Sequence, residues 1–314
     1  MSTIKNVTIA GGGVLGSQIA FQAAYSGFNV KIWLRSAASI ERARPKIDRL
    51  LDIYLKTLEA WKTNPAAYAR GFADSKDLSA AEIDELKARA QAAHDSIVLT
   101  DSYEEAARDA DLVIEAIAED PEQKIAFYTE LAKHLPEKTI IATNSSTMLP
   151  STFAEHTGRP EKYLALHFAN EIWRNNTAEV MGHDGTSKEA YDAVAQFAAD
   201  IHMVPLLLHK EQPGYILNTM LVPFLNAAEV LYAKGVADPE TIDKTWQLGT
   251  GAPAGPFRIL DVIGLTTAYN VVMLDPQAKD PETIQGKIAA LLKEKIDAGK
   301  TGVNAGEGFY KYTK

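Results

Sequence analysis

A doubly wound α/β domain followed by an all-α domain is the architecture that three features of the sequence predict. Short apolar runs alternate with helical patterns from residue 7 to residue 208, a glycine-rich turn joins the first run to the first helix, and beyond residue 209 only helical periodicity and glycine-rich loops remain. Runs alternating with helices favour right-handed crossovers, and so a largely parallel sheet covered on both faces. At 314 residues the chain exceeds one average domain, and the change of pattern sets the division at 1–209 and 210–314.

The strand candidates are VTIA (7–10), VKIWL (30–34), SIVLT (96–100), LVIEAI (112–117), TIIAT (139–143), YLALHF (163–168), TAEVM (177–181) and MVPLLL (203–208). Ser79 with Glu82, and Ser102 with Glu105, have the spacing of capping boxes, whose side chains satisfy the orphan amides of a first helical turn. Residues 39–94 are charged, helix-favouring and too long for one crossover, so they predict a helical pair projecting from the sheet. That pair is either a solvated insertion or one wall of a substrate site. Pro213 suits a helix start, and Ile216, Leu217, Met220, Leu221, Phe224, Leu225, Ala228 and Leu231 then keep a helical period. Asp238 and Pro239 open another helix as N-cap and first-turn residue.

Composition narrows the function. Against 41 acidic residues stand 32 Lys and Arg, and the net charge of −9 argues against a nucleic-acid binder, because phosphate backbones are held by clustered cations. The lack of cysteine excludes disulfides, thiolate nucleophiles and Cys-ligated zinc, and no metal site is expected. The N-terminus enters a strand candidate directly, and no window approaches the roughly 18 apolar residues of a membrane span. The expectation is a soluble, cytoplasmic chain with no membrane or nucleic-acid partner.

VTIAGGGVLGSQIA (7–20) sets Gly11-x-Gly13-x-x-Gly16 between the first strand and a helix. Gly11 permits a tight turn, Gly13 lets a pyrophosphate approach the backbone where Val14 and Leu15 begin the helix, and Gly16 allows close helix-to-strand packing. A glycine pattern alone is weak, but here strand, helix and second strand all follow, which makes a Rossmann-type dinucleotide site the better reading. At the end of the second strand an acid ordinarily accepts the ribose hydroxyls and repels a 2′-phosphate. Leu34 stands there instead, followed by Arg35 and Ser36, a guanidinium fork and a hydroxyl donor that favour NADP over NAD. Without the motif around it, Arg35 would read as a solvated strand-end residue.

Further along come IIATNSSTM (140–148), LALHFAN (164–170), NNTAEVM (175–181), PGYILNTMLVPFLNAAEVLYAKG (213–235), GTGAPAGPFRILDVIGL (249–265) and GEGFY (306–310). In this order, and over nearly the whole chain, they resemble the 3-hydroxyacyl-CoA dehydrogenase family, most of all its bacterial diketoreductase and 3-hydroxybutyryl-CoA dehydrogenase-like branch. The resemblance implies an oxidoreductase in which His167 exchanges the proton of a substrate hydroxyl while a hydride moves between C3 and the nicotinamide. A histidine suits that work because its ordinary pKa lies near neutrality. The resemblance also implies Glu179 as the carboxylate paired with His167, and Ser146 and Asn218 as donors to the substrate oxygen. It places Glu119 and Lys124 around the nicotinamide ribose, and Asn144 and Asn170 close to the cofactor. Taken alone, His167 would be a structural histidine, Glu179 a strand-edge glutamate, Glu119 a helix-start acid and Lys124 a solvated lysine.

Two departures from the family bear on substrate. HFANEIWRNN differs from the HFFNPVP run of acyl-CoA dehydrogenases, and sets Trp173, Arg174, Asn175 and Asn176 near the rim of the site. On the projecting helices Lys56, Lys62, Arg70 and Lys76 suit CoA phosphates, but acids are interspersed among them. Three readings stay open: a 3-hydroxyacyl or 3-ketoacyl oxidoreductase; a reductase of free β-keto or β,δ-diketo acids and esters, or a sugar-acid or carnitine dehydrogenase; and a non-catalytic, crystallin-like protein. Joint retention of Ser146, His167, Glu179 and Asn218 speaks against the last. The family further implies a homodimer formed through the helical domain.

Overall fold

The computed structural model of the chain describes residues 4–312. They form two compact units that divide between Ile216 and Leu217. The division falls seven residues beyond 209, because residues 210–216 stay with the first unit: Tyr215 is buried there and the amide of Ile216 is bound by Glu179.

The first unit carries β1 (Asn6–Ala10), α1 (Val14–Tyr25), β2 (Asn29–Trp33), α2 (Ala37–Trp61), α3 (Ala80–Ser96), β3 (Val98–Thr100), α4 (Tyr103–Ala107), β4 (Leu112–Glu115), α5 (Pro121–Leu131), β5 (Ile140–Thr143), β6 (Tyr163–Phe168), β7 (Thr177–Met181), α6 (Lys188–Asp200) and β8 (Val204–Leu208). Its eight strands lie in the order β3-β2-β1-β4-β5-β6-β7-β8. The strand order reverses between β1 and β4, which opens a crevice at their carboxyl ends, the place where such sheets bind ligands. All pairings are parallel except β6 with β7. Residues 169–176 join those two strands without an α-helix, so the chain doubles back rather than crossing over.

Successive side chains leave the sheet on opposite faces. Val113 and Ile141 enter one apolar cluster, with Phe127, Tyr128 and Phe153, while Ile114, Ala142 and Leu164 enter a larger one with α1, α2 and α3. The helical pair read from residues 39–94 is present as α2 and α3; its apolar side packs on α1, where Tyr54 lies edge-on to Phe21, Tyr25 and Phe72. The expected capping box is complete at Ser79 and Glu82, whereas Ser102 caps α4 through the Glu105 amide. Trp173 and Asn176 are not rim residues, because the connection after β6 is part of this core. Trp173 packs against Tyr54 with its ring tilted, its carbonyl accepts from the Gly71 amide, and Asn176 Nδ2 donates to the His202 carbonyl. Arg174 and Asn175 are exposed.

The second unit is helical: α7 (Leu217–Ala233), α8 (Pro239–Thr250), α9 (Pro256–Ile263), α10 (Leu265–Val272) and α11 (Ile284–Asp297), around Leu225, Phe257, Leu260 and Ile288. Asp238 caps α8 through the Thr241 amide, as its position before Pro239 predicts. No described helix of either unit is long and apolar enough to cross a membrane.

Candidate active site

The antiparallel register of β6 and β7 sets His167 directly opposite Glu179. Side chains opposite one another in such a pair have Cβ atoms about 4.5–5.5 Å apart, so a histidine and a glutamate reach each other without backbone distortion. Glu179 Oε2 lies 3.0 Å from His167 Nδ1, and Ser146 Oγ lies 3.2 Å from Nε2. Both members of the pair are buried, at 7% and 3% exposure, which strengthens their interaction. A carboxylate only accepts hydrogen bonds, so Nδ1 carries the proton and Nε2 is left as the basic atom, with the Ser146 hydroxyl donating to it. The second oxygen of Glu179 accepts the Ile216 amide at 2.9 Å. The ring of Tyr215 stacks on that of His167, 4.4 Å between centroids and 12° from parallel, while its hydroxyl donates to the Ser145 carbonyl at 2.6 Å.

Ser146 follows β5, where the strand empties into a polar turn. Glu119, in the loop after β4, accepts from Ser145 Oγ at 2.7 Å and from the Ser146 amide at 3.1 Å, so it fixes the turn that presents Ser146. Asn144 Oδ1 accepts the Phe168 amide and thereby ties the end of β5 to the end of β6 beside His167. Lys124 differs from expectation: it is fully buried, and its ammonium donates to Glu115 Oε1 at 2.6 Å instead of lining the cofactor surface. Burying a charge demands a partner, and Glu115 supplies one while also accepting from the Ile117 amide, Tyr128 and Thr143. Asn170 is exposed, and its carbonyl accepts from Asn175 Nδ2. Asn218 lies in the first turn of α7, in the second unit.

The glycine turn borders a cleft of about 600 Å³. Gly11 adopts φ +117°, and a Cβ there would fall 2.5 Å from the Ala116 carbonyl oxygen, so no other residue fits. A Cβ on Gly13, the N-cap of α1, would meet nothing within 4 Å; the turn is open on the side from which a pyrophosphate would come. Val14 is exposed at the start of α1, Leu15 half-buried behind it, and Gly16 packs back on the turn. Leu34 is buried, whereas Arg35 is exposed on the cleft wall. Ser36 is the N-cap of α2, and its Oγ lies 3.1 Å from Ser39 Oγ, which accepts from Arg42 Nη2 at 2.8 Å. Lys46, one turn further along α2, donates to the Gly12 carbonyl at 2.7 Å. The cleft wall thus carries Arg35, Arg42 and Lys46, with Asp101 as the opposing charge. This cradle and donor set fit a dinucleotide.

Four residues enter the site that sequence reasoning did not single out: Tyr215, Ser39, Arg42 and Lys46. The last three follow Ser36 in successive steps of three, three and four residues, which a helix starting there brings to one side, a signal open to reading once Ser36 is taken as its cap. Tyr215 was hidden inside a segment read as the start of a helix.

A glycine cradle at the switch point of a parallel sheet, beside a histidine and carboxylate pair, defines a nicotinamide-dependent oxidoreductase. Residues 6–212 match the 3-hydroxyacyl-CoA dehydrogenase NAD binding domain and residues 214–312 the 3-hydroxyacyl-CoA dehydrogenase C-terminal domain. The chain belongs to the 3-hydroxyacyl-CoA dehydrogenase family. It is 31% identical over 312 residues to a probable 3-hydroxyacyl-CoA dehydrogenase of Caenorhabditis elegans, spanning 99% of this chain and 94% of the relative. With the 3-hydroxybutyryl-CoA dehydrogenase of Clostridioides difficile it shares 30% identity over 310 residues, 98% of this chain and 99% of the other. A solved diketoreductase, described as acting on dicarbonyl compounds, is 46% identical with a TM-score of 0.86, and the match covers 99% of this chain and all of that one.

Proposed function

We propose that the chain interconverts a 3-hydroxyacyl and a 3-ketoacyl compound, with His167 as the proton-exchanging base. The observation that carries this reading is the relay in which half-buried Ser146 meets the buried His167–Glu179 pair. In the oxidising direction the substrate hydroxyl gives its proton to Nε2, and Glu179 holds the tautomer and stabilises the imidazolium that forms. Ser146, held by Glu119 through its amide and by His167 through its hydroxyl, is a preorganised donor to the substrate oxygen, and the family resemblance alone adds Asn218 as a second donor. Bound NAD(P) supplies the hydride acceptor or donor, and Gly11, Gly13 and the start of α1 hold its phosphates.

For the cofactor we favour NADP over NAD. Supporting this are Leu34 in place of the customary acid, Arg35 and Ser36 after it, and the Ser39–Arg42 pair alongside. On substrate, the names of the relatives point to CoA thioesters and that of the structural neighbour to dicarbonyl compounds. The second reading draws support from Lys62, which is held by Asp84 and Glu59 and so is committed elsewhere than to a CoA phosphate. Turnover of acetoacetyl-CoA, ethyl acetoacetate and a β,δ-diketo ester, each with NADH and NADPH, separates these readings, and inactivity on all three sinks the dehydrogenase reading. A homodimer is part of the proposal, supported by exposed apolar side chains of the helical unit, among them Leu248, Val262 and Leu274. Light scattering that finds only monomer rejects it.

A further inference from the structure

We infer that Tyr215 is a positioning residue for His167: its ring sets the plane and charge preference of the imidazole, and its hydroxyl locks that imidazole to the turn bearing Ser146. The inference rests on the reading of His167 as the base and names a residue beyond the four assigned above.

Three contacts converge on this one turn. The Tyr215 ring lies nearly parallel to His167 at 4.4 Å, its hydroxyl is 2.6 Å from the Ser145 carbonyl, and the next amide, that of Ile216, is 2.9 Å from Glu179 Oε1. A single pair of residues therefore touches His167, Glu179 and the residue preceding Ser146. Tyr215 is 1% exposed and adopts φ +54°, a left-handed conformation costly for a large side chain. Gly214 before it is also left-handed, at φ +78°. Such strain persists only where the surroundings over-determine it, and here the three contacts do so.

The chemistry explains why an aromatic belongs there. During alcohol oxidation His167 passes from imidazole to imidazolium, and the negative face of a ring attracts a cation lying against it. An aliphatic side chain of equal bulk fills the space without that attraction. Burial, followed by the nearby carboxylates Glu119, Glu179 and Glu115, pushes the Tyr215 phenol far above its ordinary range, so it stays a neutral ring and a donor throughout the working pH range. These carboxylates, on the loop after β4, on β7 and on β4, are also the charged groups surrounding the ring pair. They are common to every variant below.

The two roles separate in two variants. Tyr215→Phe keeps the face and loses the bond to Ser145; Tyr215→Leu loses both. We expect Tyr215→Phe to leave the acidic limb of the pH–rate profile in place and to lower kcat several-fold. Tyr215→Leu should move that limb down by about half to one pH unit, since removing support for the cation makes the imidazole easier to deprotonate. The same displacement should appear in the NMR titration of the His167 ring, which needs no turnover. An identical titration in wild type, Phe and Leu variants overturns the charge role, and an unchanged kcat in Tyr215→Phe overturns the lock. Should the Leu variant fail to fold, Tyr215→Met replaces it. His167→Ala keeps the two readings apart: full activity there removes the base assignment itself, whereas its loss together with silent Tyr215 variants removes only this inference.

Discussion

At the β6–β7 corner His167 and Glu179 are buried and each is held through both ends of its polar group, whereas at the end of β2 Arg35 and Arg42 stand exposed on the wall of an open cleft. The corner is set by sheet register and cannot shift by one residue without turning His167 or Glu179 to the opposite face. The cleft mouth is set by side chains on the first turns of a helix, in high dielectric and within reach of salt. Groups that must move a proton at a fixed distance sit where the fold leaves no choice, and groups that choose between two cofactors sit where substitution costs the fold little.

Breaking the corner has the largest expected effect. Glu179→Gln keeps the shape and a group for the Ile216 amide, but removes the charge that fixes the His167 tautomer and balances the imidazolium. Turnover should fall on the order of 10²- to 10⁴-fold with cofactor affinity nearly unchanged. Steady-state kinetics beside a cofactor titration check this, and a fall below ten-fold would mean that the carboxylate is structural. Next comes the pair beneath the site. Lys124→Met leaves the Glu115 carboxylate buried without its cation, and should cost about 3 kcal/mol of stability, because three remaining donors soften the loss. Urea unfolding measures it, and Glu115→Gln added to Lys124→Met should recover part of it.

The helical unit offers a third contrast, a buried charge with incomplete support. Glu229 on α7 is 5% exposed, its Oε1 has no hydrogen-bond partner among the described residues, and burial raises its pKa to about 7. A folded-state value above the unfolded one means that stability is fully present below about pH 4.5 and is lost as pH rises through about 7. The cost at alkaline pH is of order 3 kcal/mol. Glu229→Gln should therefore raise the melting temperature at pH 8.5 relative to wild type and change it little at pH 5; equal shifts at both would remove the titration from the account.

How much of this was legible depends on what each residue answers to. The inner strands were readable because burial on two faces leaves near-continuous apolar runs, and the edge strands β3 and β8, though partly exposed, keep short apolar runs of their own. The direction of β7 was not, since TAEVM is the same string whichever way it pairs, and only the short connection 169–176 betrays the reversal. His167 and Glu179 were found through resemblance, while the reason they meet, their opposed register, emerged only with the sheet. Lys124 was set around the nicotinamide ribose by resemblance, and its burial against Glu115 was not foreseen; the acid inside the apolar run LVIEAI was the signal that a buried cation is needed nearby. Tyr215 escaped because helical periodicity runs back to Ile216, while α7 begins at Leu217 and the preceding turn carries left-handed residues.

The smallest expected effect lies at the cleft mouth, and it tests whether selectivity there belongs to one cation or to a group. Arg35 is the residue that sequence position indicates, yet Arg42 is the one oriented, since Ser39 holds its guanidinium and Ser36 in turn approaches Ser39. An oriented guanidinium loses less freedom on binding a phosphate, so Arg42→Ala should raise the NADPH Michaelis constant about three- to ten-fold and leave that for NADH almost unchanged. Arg35→Ala should do the same more weakly. Lys46→Met, by contrast, acts on the Gly12 carbonyl in the turn common to both cofactors, and should weaken NADH and NADPH alike. The effects of the two arginines should shrink at high salt while the Lys46 effect persists, because only the former are exposed. If all three variants weakened both cofactors equally, the mouth would hold phosphate charge in general, and the preference for NADP would have to be abandoned.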